Sequence, residues 1–191
     1  MDGPIVAGRL LVATPMIGDE NFARTVVALL EHGDEGTLGL VLNRPTGTDL
    51  VDPLPEWGAW ASRPPVVFAG GPVEQERAIG LARARATPAA QVLDDEVFQP
   101  LVGWVGTFDL TSDPELVGTG IEELRVFSGY AGWGADQLEA ERAAGAWWVL
   151  DAHPSDFLCD APETLWRRVL ARQADAELRR FALYPTDPRA N

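Results

Sequence analysis

The stretch that most constrains this chain is residues 127–150, F-S-G-Y-A-G-W-G-A-D-Q-L-E-A-E-R-A-A-G-A-W-W-V-L. It reads as strand, glycine-rich turn, short helix and returning strand. Residues 124–127 are largely apolar and partly β-branched, the character of a buried strand. Gly129, Gly132 and Gly134 supply the free φ that a sharp strand-to-helix reversal needs. Asp136 with Glu139 three residues on is a helix start signal, and Gly145 is a C-terminal stop. Residues 147–150 then read as the next strand. A turn of this kind aims backbone N–H groups at an anion, and Tyr130 and Trp133 beside it are candidate walls of a pocket.

The rest of the chain repeats the theme of short apolar runs broken by glycine and proline. Residues 8–14 read as a first strand closed by Pro15. Residues 25–32 (T-V-V-A-L-L-E-H) fit a helix or a buried strand. The Thr-Val-Val start and the G-D-E-G that follows favour a hairpin with residues 37–43. Arg44-Pro45 stops that second strand. Residues 47–65 read as loop, with a short helical turn near Trp57 and Trp60. Strands are expected at 66–69, 79–82 and 102–110, and a short helix between Asp113 and Val117. Asp160, Pro162 and Glu163 mark a helix start. Leu165, Trp166, Val169 and Leu170 then share its buried face, with Arg167, Arg168 and Arg172 pointing away. Residues 175–183 add a short helix, and 186–191 read as a frayed tail.

Composition narrows the function classes. With 191 residues and one cysteine, the chain suits one domain without an internal disulfide, as in a reducing cytoplasm. No apolar run approaches the roughly 20 residues of a membrane span, and the N-terminus lacks a basic leader. The net charge is −14, and every one of the fifteen basic side chains is arginine. Lysine Schiff-base chemistry and a P-loop lysine are therefore excluded. Residues 1–160 carry nine arginines against 25 acids, while 161–191 carry six against four. Only the C-terminal part could meet a phosphate backbone, which argues against direct DNA binding.

Several residues are candidates for chemistry, each with a plainer reading. Glu31-His32 ends one hairpin strand and Asn43-Arg44 the other, which is expected to gather them at one end of the sheet. Arg44 would clamp a carboxylate or phosphate with His32 as acid or base; alternatively Asn43 caps a turn and Arg44 pairs with Glu31. Gly70-Gly71 ahead of Pro72-Val73 exposes amides to a ligand or simply makes a turn. The segment 129–134 is an anion nest, or a tight turn beneath a packed Trp133, and Gln137 faces either pocket or water. Ser128 lacks the glycine that a G-x-S-x-G elbow requires, because Val126 stands there. Cys159 reads as a buried structural thiol and Asp94-Asp95-Glu96 as a solvated acidic loop. No metal and no cofactor is expected from these residues.

Six segments together resemble the YqgE/AlgH family of bacterial proteins. They are 10–15 (L-L-V-A-T-P), 22–32 (F-A-R-T-V-V-A-L-L-E-H), 39–45 (G-L-V-L-N-R-P), 68–73 (F-A-G-G-P-V), 129–139 (G-Y-A-G-W-G-A-D-Q-L-E) and 146–150 (A-W-W-V-L). Residues 151–168 also fit, and the likeness spans nearly all of residues 1–191. It implies an α+β single domain, a mixed β-sheet curled into a barrel-like core with flanking helices. Between Leu81 and Leu110 the chain departs from the family pattern: Ala82-Arg83 and Gly103-Trp104-Val105-Gly106 replace the usual polar residues. Some members carry the label transcriptional regulator, and the resemblance brings no catalytic residues. Three functions follow as expectations. The first is a cytoplasmic, non-enzymatic domain whose 39–45, 68–73 and 129–134 segments form one pocket for a small anionic ligand or a protein partner. The second is a transcriptional regulator acting directly or through a partner. The third is a hydrolase-like enzyme using His32 with Glu31 or Arg44.

Overall fold

The computed structural model describes residues 3–86 and 93–183. Among them ten strands form: β1 (Leu10–Ala13), β2 (Val26–Gly33), β3 (Gly36–Val41), β4 (Pro45–Asp49), β5 (Val66–Ala69), β6 (Val73–Ala84), β7 (Phe98–Val102), β8 (Val105–Phe108), β9 (Ile121–Trp133) and β10 (Trp147–Leu150). The helices are short: α1 (Pro114–Val117), α2 (Gln137–Ala143), α3 (Pro154–Phe157), α4 (Leu165–Ala171) and α5 (Ala176–Phe181), with a 3-10 turn over Pro55–Trp60. The strands share one mixed sheet in the order β10-β1-β2-β3-β9-β6-β8-β7. Off this path, β5 pairs antiparallel with β4 and parallel with β9.

Both faces of the sheet's middle are covered, which is why β1 and β2 read as unbroken apolar runs. Alternation sends Leu10 and Val12 to one face, with Leu165, Trp166 and Val169 of α4. It sends Leu11 and Ala13 to the other, with Leu138 of α2 and Trp147. A third cluster, around Trp57, Leu124 and Phe108, lies beneath the 3-10 turn. The sheet is open but curled. A side chain on Gly8, just ahead of β1, would meet the carbonyl oxygen of Leu101 in β7 at 2.9 Å. This α+β architecture is the one the resemblance implies.

The hairpin of β2 and β3 forms with Val27 opposite Val41 and His32 opposite Thr37. The strands at β1, β5 and β10 and the helices α1, α4 and α5 also lie where the residue pattern puts them. Three readings change. Residues 102–110 are not one strand: Gly103, at φ +57°, turns the chain between β7 and β8. The loop expected over residues 47–65 begins instead within β4 (Pro45–Asp49), whose residues are half-buried or exposed and so carry no apolar alternation. The segment 128–133 is not a reversal but the continuation of β9, and the chain leaves the sheet only after Trp133.

The helix signals were met in part. Gly145, at φ +82°, follows α2 as a stop. Asp136 precedes α2 but makes no capping bond, and the amide of Gly134 instead donates to Gln137 Oε1 at 3.0 Å. Arg167, Arg168 and Arg172 lie on the exposed face of α4 as expected, and two of them also bond back to the protein. Arg172 closes two 2.6 Å bonds on the buried Asp156 carboxylate, and Arg168 donates to Cys159 Sγ. Residues 186–191 lie outside the described residues.

Candidate functional site

Antiparallel pairing puts the end of β2 beside the beginning of β3, so Glu31-His32 and Asn43-Arg44 sit at opposite ends of the hairpin. Thr37, opposite His32, is six residues from Asn43, about 20 Å along an extended strand. The gathering expected of these four residues therefore fails. Asn43 is buried, accepts from the Val26 amide at 3.0 Å and donates to the Arg24 carbonyl at 2.9 Å. Arg44 donates to the Ala23 carbonyl, and burial lowers its guanidinium pKa. Both tie the hairpin to the preceding loop. His32 meets Thr37 Oγ1 through Nδ1 at 2.8 Å and Glu139 Oε1 through Nε2 at 3.4 Å, rather than Glu31 or Arg44.

The glycines serve close approach of backbones. A side chain on Gly70 would meet the carbonyl oxygen of Gly129 at 2.2 Å; one on Gly71 would meet the carbonyl carbon of Tyr130 at the same distance. Gly129, at φ +69°, lies under the carbonyl oxygens of Val73 and Gly71 where the β6–β9 register slips. Carbonyls fill the space above it, so residues 129–134 make no nest of amides for an anion. Strand alternation also separates the two aromatic residues: Tyr130 packs on the α4 face, whereas the Trp133 indole stacks with Phe22 and Trp147 on the other. Gln137 is spent on the start of α2, accepting from Gly134 and donating to Glu141.

Four of the ten candidates still border one groove. A depression of about 360 Å³ opens between the β2–β3 turn and β9, with Glu31, Glu35, Tyr130 and Gly132 on its walls and Trp133 at its edge. Its electrostatics are acidic. Glu31 and Glu35 are exposed, and Glu74 accepts from the Tyr130 hydroxyl at 3.3 Å. Arg77 lies over the Tyr130 ring at 5.9 Å and bonds Glu74 at 3.4 Å. Partial desolvation, with Glu74 behind it, pushes the Tyr130 pKa up; Arg77 acts the other way. A second hollow, of about 510 Å³, lies between Met16, Trp148 and Phe181 and gathers none of the candidates.

A profile of AlgH-like proteins matches residues 10–176. The chain belongs to the AlgH-like family. It is 47% identical over 188 residues to a UPF0301 protein of Streptomyces avermitilis, covering 97% of this chain and 95% of that one. To a UPF0301 protein of Thermobifida fusca it is 43% identical, covering 100% and 98%. The fold matches a crystal structure of a Corynebacterium diphtheriae protein with TM-score 0.88 and 28% identity, over 96% of this chain and 95% of that one. It also matches the solution structure of AlgH from Pseudomonas aeruginosa, with TM-score 0.67 and 30% identity over 98% of each.

One residue of this AlgH-like chain escaped the sequence reading. Arg125, in the middle of the run Leu124, Arg125, Val126, Phe127, is 1% exposed and faces the same core as Phe68 and Phe127. The signal was present: a charged side chain inside a buried strand needs a polar partner. The plainer readings of Cys159 and Asp94 hold. Cys159 is 2% exposed, and burial pushes its thiol up. Asp94 accepts from the amides of Glu96 and Val97 in its own turn. Among the described residues no helix is long and apolar enough to cross a membrane.

Proposed function

We propose that this protein is a non-enzymatic binding domain whose acidic groove takes a basic peptide segment of a protein partner. The observation that carries the reading is Arg77. The chain's own guanidinium already lies over Tyr130 and bonds Glu74, so this corner holds an arginine in cis. Glu31 and Glu35 line the same groove and add their negative charge to it. A chain of net charge −14 attracts a basic partner and speeds the encounter. Isothermal titration with a short arginine-rich peptide tests it. Binding should weaken about tenfold in Tyr130→Ala and in the double variant Glu31→Gln/Glu35→Gln, a loss of about 1.4 kcal/mol. Equal affinity in all three proteins would end the proposal.

Regulation of transcription, on this reading, runs through the partner. Three of the arginines that direct DNA binding would need, though exposed, already bond to the protein: Arg172 to Asp156, Arg168 to Cys159 and Arg179 to the Gln173 and Ala174 carbonyls. Their engagement supports weak attraction to a duplex. Filter binding at low salt should show none that is tight and salt-sensitive.

A further inference from the structure

Arg125 is a buried cation that makes no ion pair among the described residues. Its Nε donates to Ser62 Oγ at 3.0 Å, and its Nη2 to the carbonyls of Arg63 and Cys159. Its Nη1 is buried with no hydrogen-bond partner among the described residues. None of its partners is a carboxylate, and the guanidinium rests on the Phe68 ring at 4.1 Å. Desolvation lowers its pKa to about 10, against the fields of Cys159, Glu123 and Asp160. A guanidinium held this way is stabilised by whatever brings negative charge near it.

The residues that hold Arg125 also line a cleft. Ser62, Arg63 and Cys159 form part of a hollow of about 520 Å³ between the 3-10 turn before β5 and the segment linking α3 to α4. Arg63 and Arg168 stand exposed at this cleft, and Ser155 adds a hydroxyl. The acids nearby are partly neutralised: Arg83 bonds Glu123 at 3.0 Å and lies 3.9 Å from Glu122, leaving Asp160 opposite. Arg63, Arg83 and Arg168 thus balance Glu122, Glu123 and Asp160 on the cleft's walls, and Arg125, bonded to Ser62 behind them, adds a further positive charge in a protein that is strongly acidic elsewhere.

We propose that this cleft binds a small oxyanion, the phosphate or carboxylate group of a metabolite, clamped by Arg63 and Arg168 in front of Arg125. Guanidinium forks match both kinds of oxyanion, and the hollow has the size of a metabolite pocket. The bound charge offsets the desolvated Arg125, so binding and folding are linked.

The test is a thermal-unfolding titration of the whole chain with inorganic phosphate and, separately, succinate, each against sodium chloride of matched ionic strength. One of the two anions should raise the midpoint saturably while chloride does not; which one does so distinguishes phosphate from carboxylate ligands. Arg63→Gln and Arg168→Gln replace exposed side chains and leave the core intact. Each should weaken the saturating anion at least about tenfold, a change of about 1.4 kcal/mol. Arg142→Gln, on α2 and outside the cleft, should leave it unchanged. Failure of both anions to exceed chloride, or a saturable effect that survives in both cleft variants, would overturn the proposal.

Discussion

The arginines are the residues whose surroundings differ most from what their charge suggests. Arg172 grips Asp156, a fully buried carboxylate that also accepts from the His153 amide at 2.8 Å. Asp156→Ala leaves the His153 amide and Arg172 Nη1 without their acceptor, Arg172 keeping only its bond to the Asp151 carbonyl, and should cost about 3 kcal/mol in denaturant unfolding. Asn43→Ala removes two bonds that tie β3 to the loop before β2, so about 1–3 kcal/mol should be lost with no change in peptide affinity. Tyr130 gives a pH signature. Its pKa is raised in the folded protein, so the folded state keeps the phenolic proton longer than the unfolded chain does. Its share of stability is therefore whole below the ordinary tyrosine pKa of about 10 and lost as pH rises through the raised value. Tyr130→Phe should remove that alkaline decline, as read by denaturant midpoints on either side of the transition.

At the scale of elements, the residue pattern was legible wherever a segment was apolar and short. β1, β2, β3, β5 and β10 announce themselves because burial on both faces demands uninterrupted apolar runs. β4 did not, because an exposed strand carries no such demand. The glycines of β9 misled for a related reason: glycine permits both a turn and a close backbone approach, and only the neighbouring chain decides which. Gly70 and Gly134 separate the two cases. Gly70→Ala drives a methyl into the Gly129 carbonyl and should cost about 1–3 kcal/mol, whereas Gly134→Ala meets only Gln137 Oε1 at 3.8 Å and should change thermal stability little. The candidate site was half legible. Glu31, Tyr130 and Gly132 do border one groove, but the sequence could not tell which face of β9 each side chain takes once the strand was read as a turn. Arg125 stayed hidden inside an otherwise apolar run.

For the whole molecule, charge and sheet act together. An open, curled sheet covered by helices leaves hollows at its margins, and two of them differ in sign. One is the acidic groove at the β2–β3 turn; the other is the arginine-lined cleft at the far side of β9 from β3. A net charge of −14 makes basic partners the favoured visitors, and salt should weaken them. Exposed charges are screened beyond about 8 Å at physiological ionic strength, so peptide affinity should fall on the order of tenfold as salt is raised well above that level. Occupation of the acidic groove is read out residue by residue in an amide chemical-shift titration of the labelled protein with an arginine-rich peptide. Shifts clustered at Glu31, Glu35, Thr37, Glu74 and Tyr130 are the predicted result. Shifts confined to the arginine cleft, or none at saturating peptide, would contradict it.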